Sequence, residues 1–361
     1  MEQMQILLAI LVLLPFVSAL LLALCGSDRM RRLIVYGSAG VLMISAVAFA
    51  VCFFSGENLQ LRFLQSGGII DHTMLALEAG FAVLITVLSI KYRRYYVAVL
   101  SIVQTVLTFV YELGGYKPAV QPYNLFADQL TVIMVLIIAV VGTLITVYAV
   151  GYMRDYHNHH KEYADRRRFF FAMLYVFLGA MFGLVLSNSL LWLYFFWEIT
   201  SLVSFLLIGY TRTKEAVQNS FRALWMNLLG GLGFAAAIFW AGVRFGITDL
   251  QSLILCDGKL VVAPVILLAF AALTKSAQLP FSRWLLGAMV APTPSSALLH
   301  SATMVKAGVY LLIRLLSKNQ EKRQVENARF LALSRSAFRW FRRKKQMQTD
   351  TQYYYFRCPT C

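Results

Sequence analysis

Charge is scarce in this chain of 361 residues: Asp, Glu, Lys and Arg together make up 14%, whereas 59% of residues are hydrophobic and the mean hydropathy is +0.66. A soluble domain of this size carries far more polar surface, so that class is excluded. Cysteine is equally sparse. The five cysteines (Cys25, Cys52, Cys256, Cys358 and Cys361) are scattered, two of them in or beside apolar runs, which excludes a disulfide framework. Cys358 and Cys361 have the spacing of half a zinc site, but no second pair of ligands accompanies them. Only five histidines are present, and of these only His300 lies well inside an apolar run, which leaves no pair of axial ligands for a membrane haem. There is also no phosphate loop, cysteine-rich cluster motif or dinucleotide fingerprint. The chain is therefore expected to carry no cofactor and no metal of its own, and any redox chemistry would belong to partner subunits.

What the sequence has in abundance is runs long enough to cross about 30 Å of hydrocarbon. They fall near 4–24, 33–54, 74–90, 95–112, 129–152, 169–187, 189–210, 222–243, 262–290 and 296–316. The predicted fold is all-α: a polytopic bundle of about ten transmembrane helices. The ninth run is over-long and contains Pro280 five residues after Lys275, so it predicts a discontinuous helix. Broken helices are tolerated at membrane depth where they line a buried or watery path.

The formal net charge of +16 is unevenly placed. Basic residues cluster at Arg29/Arg31/Arg32, Lys91/Arg93/Arg94, Arg166/Arg167/Arg168 and Lys214/Arg222, on alternate loops, which the positive-inside rule places on the cytoplasmic side. From Ser317 onward, eleven Lys/Arg face three acidic residues, so half of the excess lies in the last 45 residues. Ten crossings would deliver that basic segment to the opposite face. The charge is thus not read as a nucleic-acid signature, and residues 317–361 are expected to be a non-membrane tail, possible product of a truncated or frame-shifted gene.

Ionisable groups in the spans are few and costly, at about 2.5–3.5 kcal/mol each at mid-depth on insertion scales. Glu198 lies inside 190–210, Lys275 just before Pro280, and His300 and Lys306 in the last run. Ser296, His300, Thr303 and Lys306 are spaced as one helical face. Tyr194 and Ser201 flank Glu198 at i−4 and i+3, and Gln278 follows Lys275 at i+3. Polar packing contacts in membranes contribute only about 0.6 kcal/mol on average, too little to account for several buried titratable groups. The set is read as a proton path: opposite charges stabilise each other, so a Glu–Lys pair whose separation changes can switch proton affinity, with histidine as a relay. Glu78 and Asp128 are read instead as boundary or interface residues, and His157, His159 and His160 as a solvated polar turn.

Three stretches also carry a resemblance. "FFWEITSLVSFLLIGY" (195–210), "RALWMNLLGGLGF" (222–234) and "KSAQLPFSRWLLGAMVAPTPSSALLHSATMVKAGVYLLIR" (275–314) resemble the antiporter-like membrane subunits shared by respiratory complex I, multisubunit sodium/proton antiporters and energy-converting hydrogenases. The likeness covers roughly 125–315. It implies that Glu198, Lys275 and His300 are proton-path residues. Lys306 and Gly287, the latter where the dehydrogenase branch often has an aspartate, lean toward the hydrogenase and antiporter branches. The stretch 155–198 looks most like the energy-converting hydrogenase large membrane subunit.

The resulting organisation is 1–124, N-terminal transmembrane helices; 125–316, the antiporter-like proton-translocation unit; and 317–361, the basic tail. In the family a second, inverted copy of the unit follows, and it is expected to be missing here. The functional expectation is a multi-pass inner-membrane subunit conducting protons, or exchanging Na+ for H+. It would itself be non-redox, working within a hydrogenase-type or NADH-dehydrogenase-type complex. Its partners would be other membrane and peripheral subunits and the lipid bilayer. The alternatives are a cation/proton antiporter without a redox partner, and a truncated non-functional product.

Overall fold

The computed structural model describes residues 2–55, 59–61, 69–114, 124–256 and 261–316. The predicted tail, with Cys358 and Cys361, lies outside the described residues. Twelve helices are found among the described residues: α1 (Glu2–Leu24), α2 (Asp28–Phe54), α3 (Ile69–Lys91), α4 (Tyr95–Leu113), α5 (Gln129–His159), α6 (Arg167–Leu186), α7 (Leu190–Ile208), α8 (Lys214–Phe245), α9 (Leu250–Leu255), α10 (Val262–Lys275), α11 (Arg283–Gly287) and α12 (Thr293–Leu316). Nine of these are long and apolar enough to span a membrane, and α10 is shorter because it is interrupted. The chain is a multi-pass membrane protein, with an all-α fold apart from one small ribbon. The ribbon pairs β1 (Leu59–Leu61) antiparallel with β2 (Leu125–Ala127), short strands that the apolar pattern did not disclose.

Local chemistry sets the helix ends. Asp128 caps α5 by accepting from Thr131 N at 2.9 Å, Thr213 caps α8 by accepting from Ala216 N at 3.2 Å, and Asp249 caps α9 through Ser252 N at 2.8 Å. Gly246 closes α8 in the left-handed conformation (φ 64°), a backbone state that a Cβ would disfavour.

Burial ranks the helices from rim to centre. Of the apolar stretch of α3 only 17% is buried, against 83% for α6 and 89% for α7. Leu13, Leu20, Leu33, Ile44, Val51 and Val83 on the outer helices are more than half exposed. Apolar surface on that scale suits lipid rather than water. Around α7, Leu202 and Phe205 pack with Ile85 of α3, Val97 of α4 and Phe221, Leu224 and Leu228 of α8. Any group on α7 near mid-length is therefore enclosed on all sides by other helices.

The two ends of the bundle differ. At one, Arg167 reaches Asp28 at 3.5 Å and Arg166 donates to the Tyr210 carbonyl at 3.2 Å, so connections bearing the predicted basic clusters meet. His157 belongs to this end too. The expectation of a solvated turn is corrected here: α5 continues to His159, and the largely enclosed His157 ring bonds the Tyr210 hydroxyl at 2.8 Å, whereas the exposed His160 pairs with Glu162 at 3.0 Å. At the ribbon end, backbone pairing ties β2 to Ser187 and Ser189 to Asp249, and the Asn188 side chain accepts from Gln251 N at 3.1 Å, so polar loop groups find partners.

Candidate functional site

The chain breaks at Lys275. Helix α10 ends there, Ala277 takes a positive φ of 53°, and α11 begins only at Arg283. Pro280 lies within the turn, five residues past the last helical residue, so the interruption starts before the proline does. The loosened end is secured by Trp284, whose indole N–H donates to the Thr274 carbonyl at 2.9 Å.

This break delivers Lys275, fully buried, onto α7. Its ammonium donates to the Trp197 carbonyl at 2.9 Å and to the Ser201 hydroxyl at 2.8 Å, and lies 4.8 Å from the centre of the Trp197 ring. Both oxygens belong to the turn that carries Glu198. No ion pair joins Lys275 to Glu198 among the described residues; the carboxylate instead accepts at Oε2 from Gln104 Nε2 of α4 at 2.8 Å. Glu198 is 5% exposed and Gln104 3%. Opposite charges held by neutral partners on the same turn of α7 can influence one another without being locked together.

Glycines of α8 make room for the site. At Gly231 an added Cβ would lie 2.5 Å from Glu198 Oε1 and 2.8 Å from Gln104 Oε1. Gly287, singled out in the sequence, sits against Asn219, whose Oδ1 would lie 2.8 Å from a Cβ there.

His300 and Lys306 are placed differently. Residues 298–302 form a π-helical turn and Thr303 leaves helical geometry (φ −141°, ψ −67°) before α12 resumes at Met304. The 4–3–3 spacing of Ser296, His300, Thr303 and Lys306 therefore does not run as one uninterrupted α-helical face, a correction to the sequence reading. His300 Nε2 is buried without a hydrogen-bond partner among the described residues. Lys306 is half-buried and makes no hydrogen bond or ion pair among the described residues. Neither is hydrogen-bonded to Glu198 or Lys275 among the described residues, although Gly308 brings α12 close to α10, with an added Cβ 2.5 Å from the Ala272 carbonyl.

Glu78 is not a boundary residue. It is 6% exposed, between α3 and α4, and accepts from Thr108 Oγ1 at 2.6 Å. Asp128, by contrast, does sit at a helix entrance, where it caps α5 and pairs with Arg314 of α12 at 2.6 Å. Sequence reading passed over Arg314, Gln104 and Thr108. For Arg314 a signal existed, a lone cation in "GVYLLIRLL". An amide and a hydroxyl barely perturb an apolar run. No group of three or more His, Cys, Asp or Glu suited to a metal occurs among the described residues.

Residues 187–337 match the family described as NADH:quinone oxidoreductase/Mrp antiporter, TM, and residues 121–170 match that described as NADH-Ubiquinone oxidoreductase (complex I), chain 5 N-terminus. A Na(+)/H(+) antiporter subunit A1 of Staphylococcus haemolyticus (strain JCSC1435) is 36% identical over 227 residues, 61% of this chain and 27% of the relative. A Na(+)/H(+) antiporter subunit A1 of Staphylococcus aureus (strain JH9) is 32% identical over 266 residues, covering 68% of this chain and 32% of the relative. The chain thus spans about a third of the length of these curated relatives. Among solved structures, the membrane-bound sulfane sulfur reductase, an archaeal respiratory membrane complex, contains a chain with the same fold at a TM-score of 0.62 and 17% identity, covering 86% of this chain and 53% of that one.

Proposed function

We propose that the chain, matched over residues 121–170 and 187–337 by models of the complex I and Mrp antiporter families, is an antiporter-like membrane subunit that moves protons across the membrane through Glu198 and Lys275 within a multisubunit complex. The observation that carries this reading is the placement of Lys275: fully buried, at the break of α10, on the two oxygens that bracket Glu198 along α7. A proton arriving on Glu198 cancels its charge, and because opposite charges favour one another, the ammonium then holds its own proton less firmly. Deprotonated Lys275 can be recharged from the far side. Moving one charge against 100 mV costs about 2.3 kcal/mol, within reach of such a pair. His300 relays the proton onward and Lys306 takes it toward α12's end.

The complex is proposed to be of the cation/proton antiporter type, because the two curated relatives named above are antiporter subunits. The redox-coupled reading, in a hydrogenase-type or NADH-dehydrogenase-type assembly, is supported by the likeness of 155–198 and by family descriptions that include NADH:quinone oxidoreductase beside the Mrp antiporter. In membrane vesicles containing the assembled complex, Glu198→Gln and Lys275→Ala are each expected to lower cation-driven proton release at least tenfold. Wild-type flux in either variant would overturn the proposal. Flux that instead requires an electron donor would favour the redox-coupled assembly.

A further inference from the structure

The proposed path needs a way for protons to reach Glu198, which sits about 12 Å along α7 from its start at the ribbon end. Helices α3 and α4, both on the lightly buried rim of the bundle, hold unexpected carboxyl groups. Asp71, in the first turn of α3, accepts from Trp192 Nε1 at 2.8 Å, and together with Glu78 and Glu112 it borders a cavity closed by Leu75, Trp192 and Phe195. The cavity lies at the ribbon end, since α3 follows β1 and α4 precedes β2. On α4, Gln104, Thr108 and Glu112 recur every four residues and so share one face. Thr108 holds Glu78, and Gln104 holds Glu198.

Acidic residues alone would not make a path. A second feature sits on α7 one turn before Glu198. Tyr194 on α7 is wholly buried, and its hydroxyl has no hydrogen-bond partner among the described residues. Glu198 Oε1 and Gln104 Oε1 are likewise buried and unpartnered, and both face the space over Gly231. Buried polar atoms are nearly always satisfied, so two such oxygens facing one small space, with a third unpartnered oxygen on Tyr194 one turn away along α7, suit a proton carried on water.

We infer that α3 and α4 provide the access lane from the ribbon end to Glu198, with Asp71 and Glu112 at the mouth, Glu78 midway, and Gln104 and Tyr194 flanking the last step. This rests on the proton-moving reading of Glu198. Each step transfers one proton between oxygens with no change of oxidation state: Glu78 takes a proton from the mouth and passes it by way of water to Glu198 Oε1, and Glu78 is left ready for the next.

Vesicles bearing the whole complex test it, with Glu78→Gln, Glu112→Gln, Tyr194→Phe and Glu198→Gln compared by flux and by amount of assembled complex. Glu78→Gln is expected to slow flux at least fivefold and Glu112→Gln about twofold, with assembly unchanged and the loss partly relieved by acidifying the ribbon side only. Wild-type flux in Glu78→Gln while Glu198→Gln is inactive overturns the lane and leaves the proposed function standing. Wild-type flux in Glu198→Gln overturns both. If Glu78→Gln does not assemble, Glu112→Gln and Tyr194→Phe decide by the same readout: both at wild-type flux overturns the lane, and slowing that ribbon-side acid relieves upholds it.

Discussion

The ammonium of Lys275 rests on the carbonyl oxygen of Trp197 at 2.9 Å, one residue before Glu198, rather than on the Glu198 carboxylate itself. A cation held by a neutral carbonyl, a hydroxyl and an aromatic face has favourable partners without a fixed counter-ion. Direct pairing in a low-dielectric interior would bind both charges in place. The arrangement keeps attraction between them while leaving each free to change its proton.

Lys275→Met is accordingly expected to leave the complex assembled, since a methionine of similar length fills the space without a buried charge. Flux falls at least tenfold. Quantifying assembled complex beside proton release in vesicles checks both halves.

Gly231→Ala brings a methyl group to 2.5 Å from Glu198 Oε1 and 2.8 Å from Gln104 Oε1, below any ordinary contact. One side chain must move, and the Gln104 bond to Glu198 is lost or bent. Flux is expected to fall at least fivefold. Gly37→Ala, at an open position on α2, is the control that leaves it unchanged.

Arg314 tests structure rather than transport. Its guanidinium binds Asp128 at 2.6 and 2.8 Å and the Tyr310 hydroxyl at 2.8 Å, tying α12 to the start of α5. Removing one partner of a fully buried pair costs about 3–5 kcal/mol; with the Asp128 side chain 29% exposed, Arg314→Met should cost roughly 2–3 kcal/mol. Thermal unfolding of the purified complex in detergent measures it, with Asp128→Asn expected to shift it in the same direction.

Outside the membrane-spanning helices, Asp165 supplies a pH dependence. Burial pushes its carboxyl up, but hydrogen bonds from the Arg167 side chain and backbone together with the Arg167 charge outweigh that and hold it below the usual carboxylate range. A group depressed on folding stabilises above its unfolded value, about 3.9, and loses that contribution as pH falls through the folded value. Asp165→Asn is therefore expected to lower the unfolding temperature slightly at pH 7 and to make progressively less difference below about pH 4. A melting series over pH checks the sign.

Much of this was legible in the chain itself because hydrocarbon penalises charge so strongly. Glu198 and Lys275 stand out in runs that tolerate almost nothing polar, and the interruption after Lys275 follows from over-length and Pro280. The rest depends on which helices meet. Gln104 and Thr108 are ordinary polar residues in an apolar run and become significant only once α4 lies against α7 and α3. Glu78 reads as a boundary residue while the span around it is weak, and becomes an interior one when α4 covers it. The π-helical turns at Ile138–Gly142 and Leu298–Ala302 leave no mark in a run that is apolar on every side, so the face predicted for His300 and Lys306 was drawn on a helix more regular than the real one.

The central claim is that Glu198 changes protonation during transport. Infrared difference spectroscopy of the assembled complex, recorded between resting and energised states and repeated with Glu198→Gln, tests it most directly. The account predicts a carboxyl signal that appears on energisation and is absent in the variant. A working complex whose Glu198 shows the same protonation state in both conditions would contradict it.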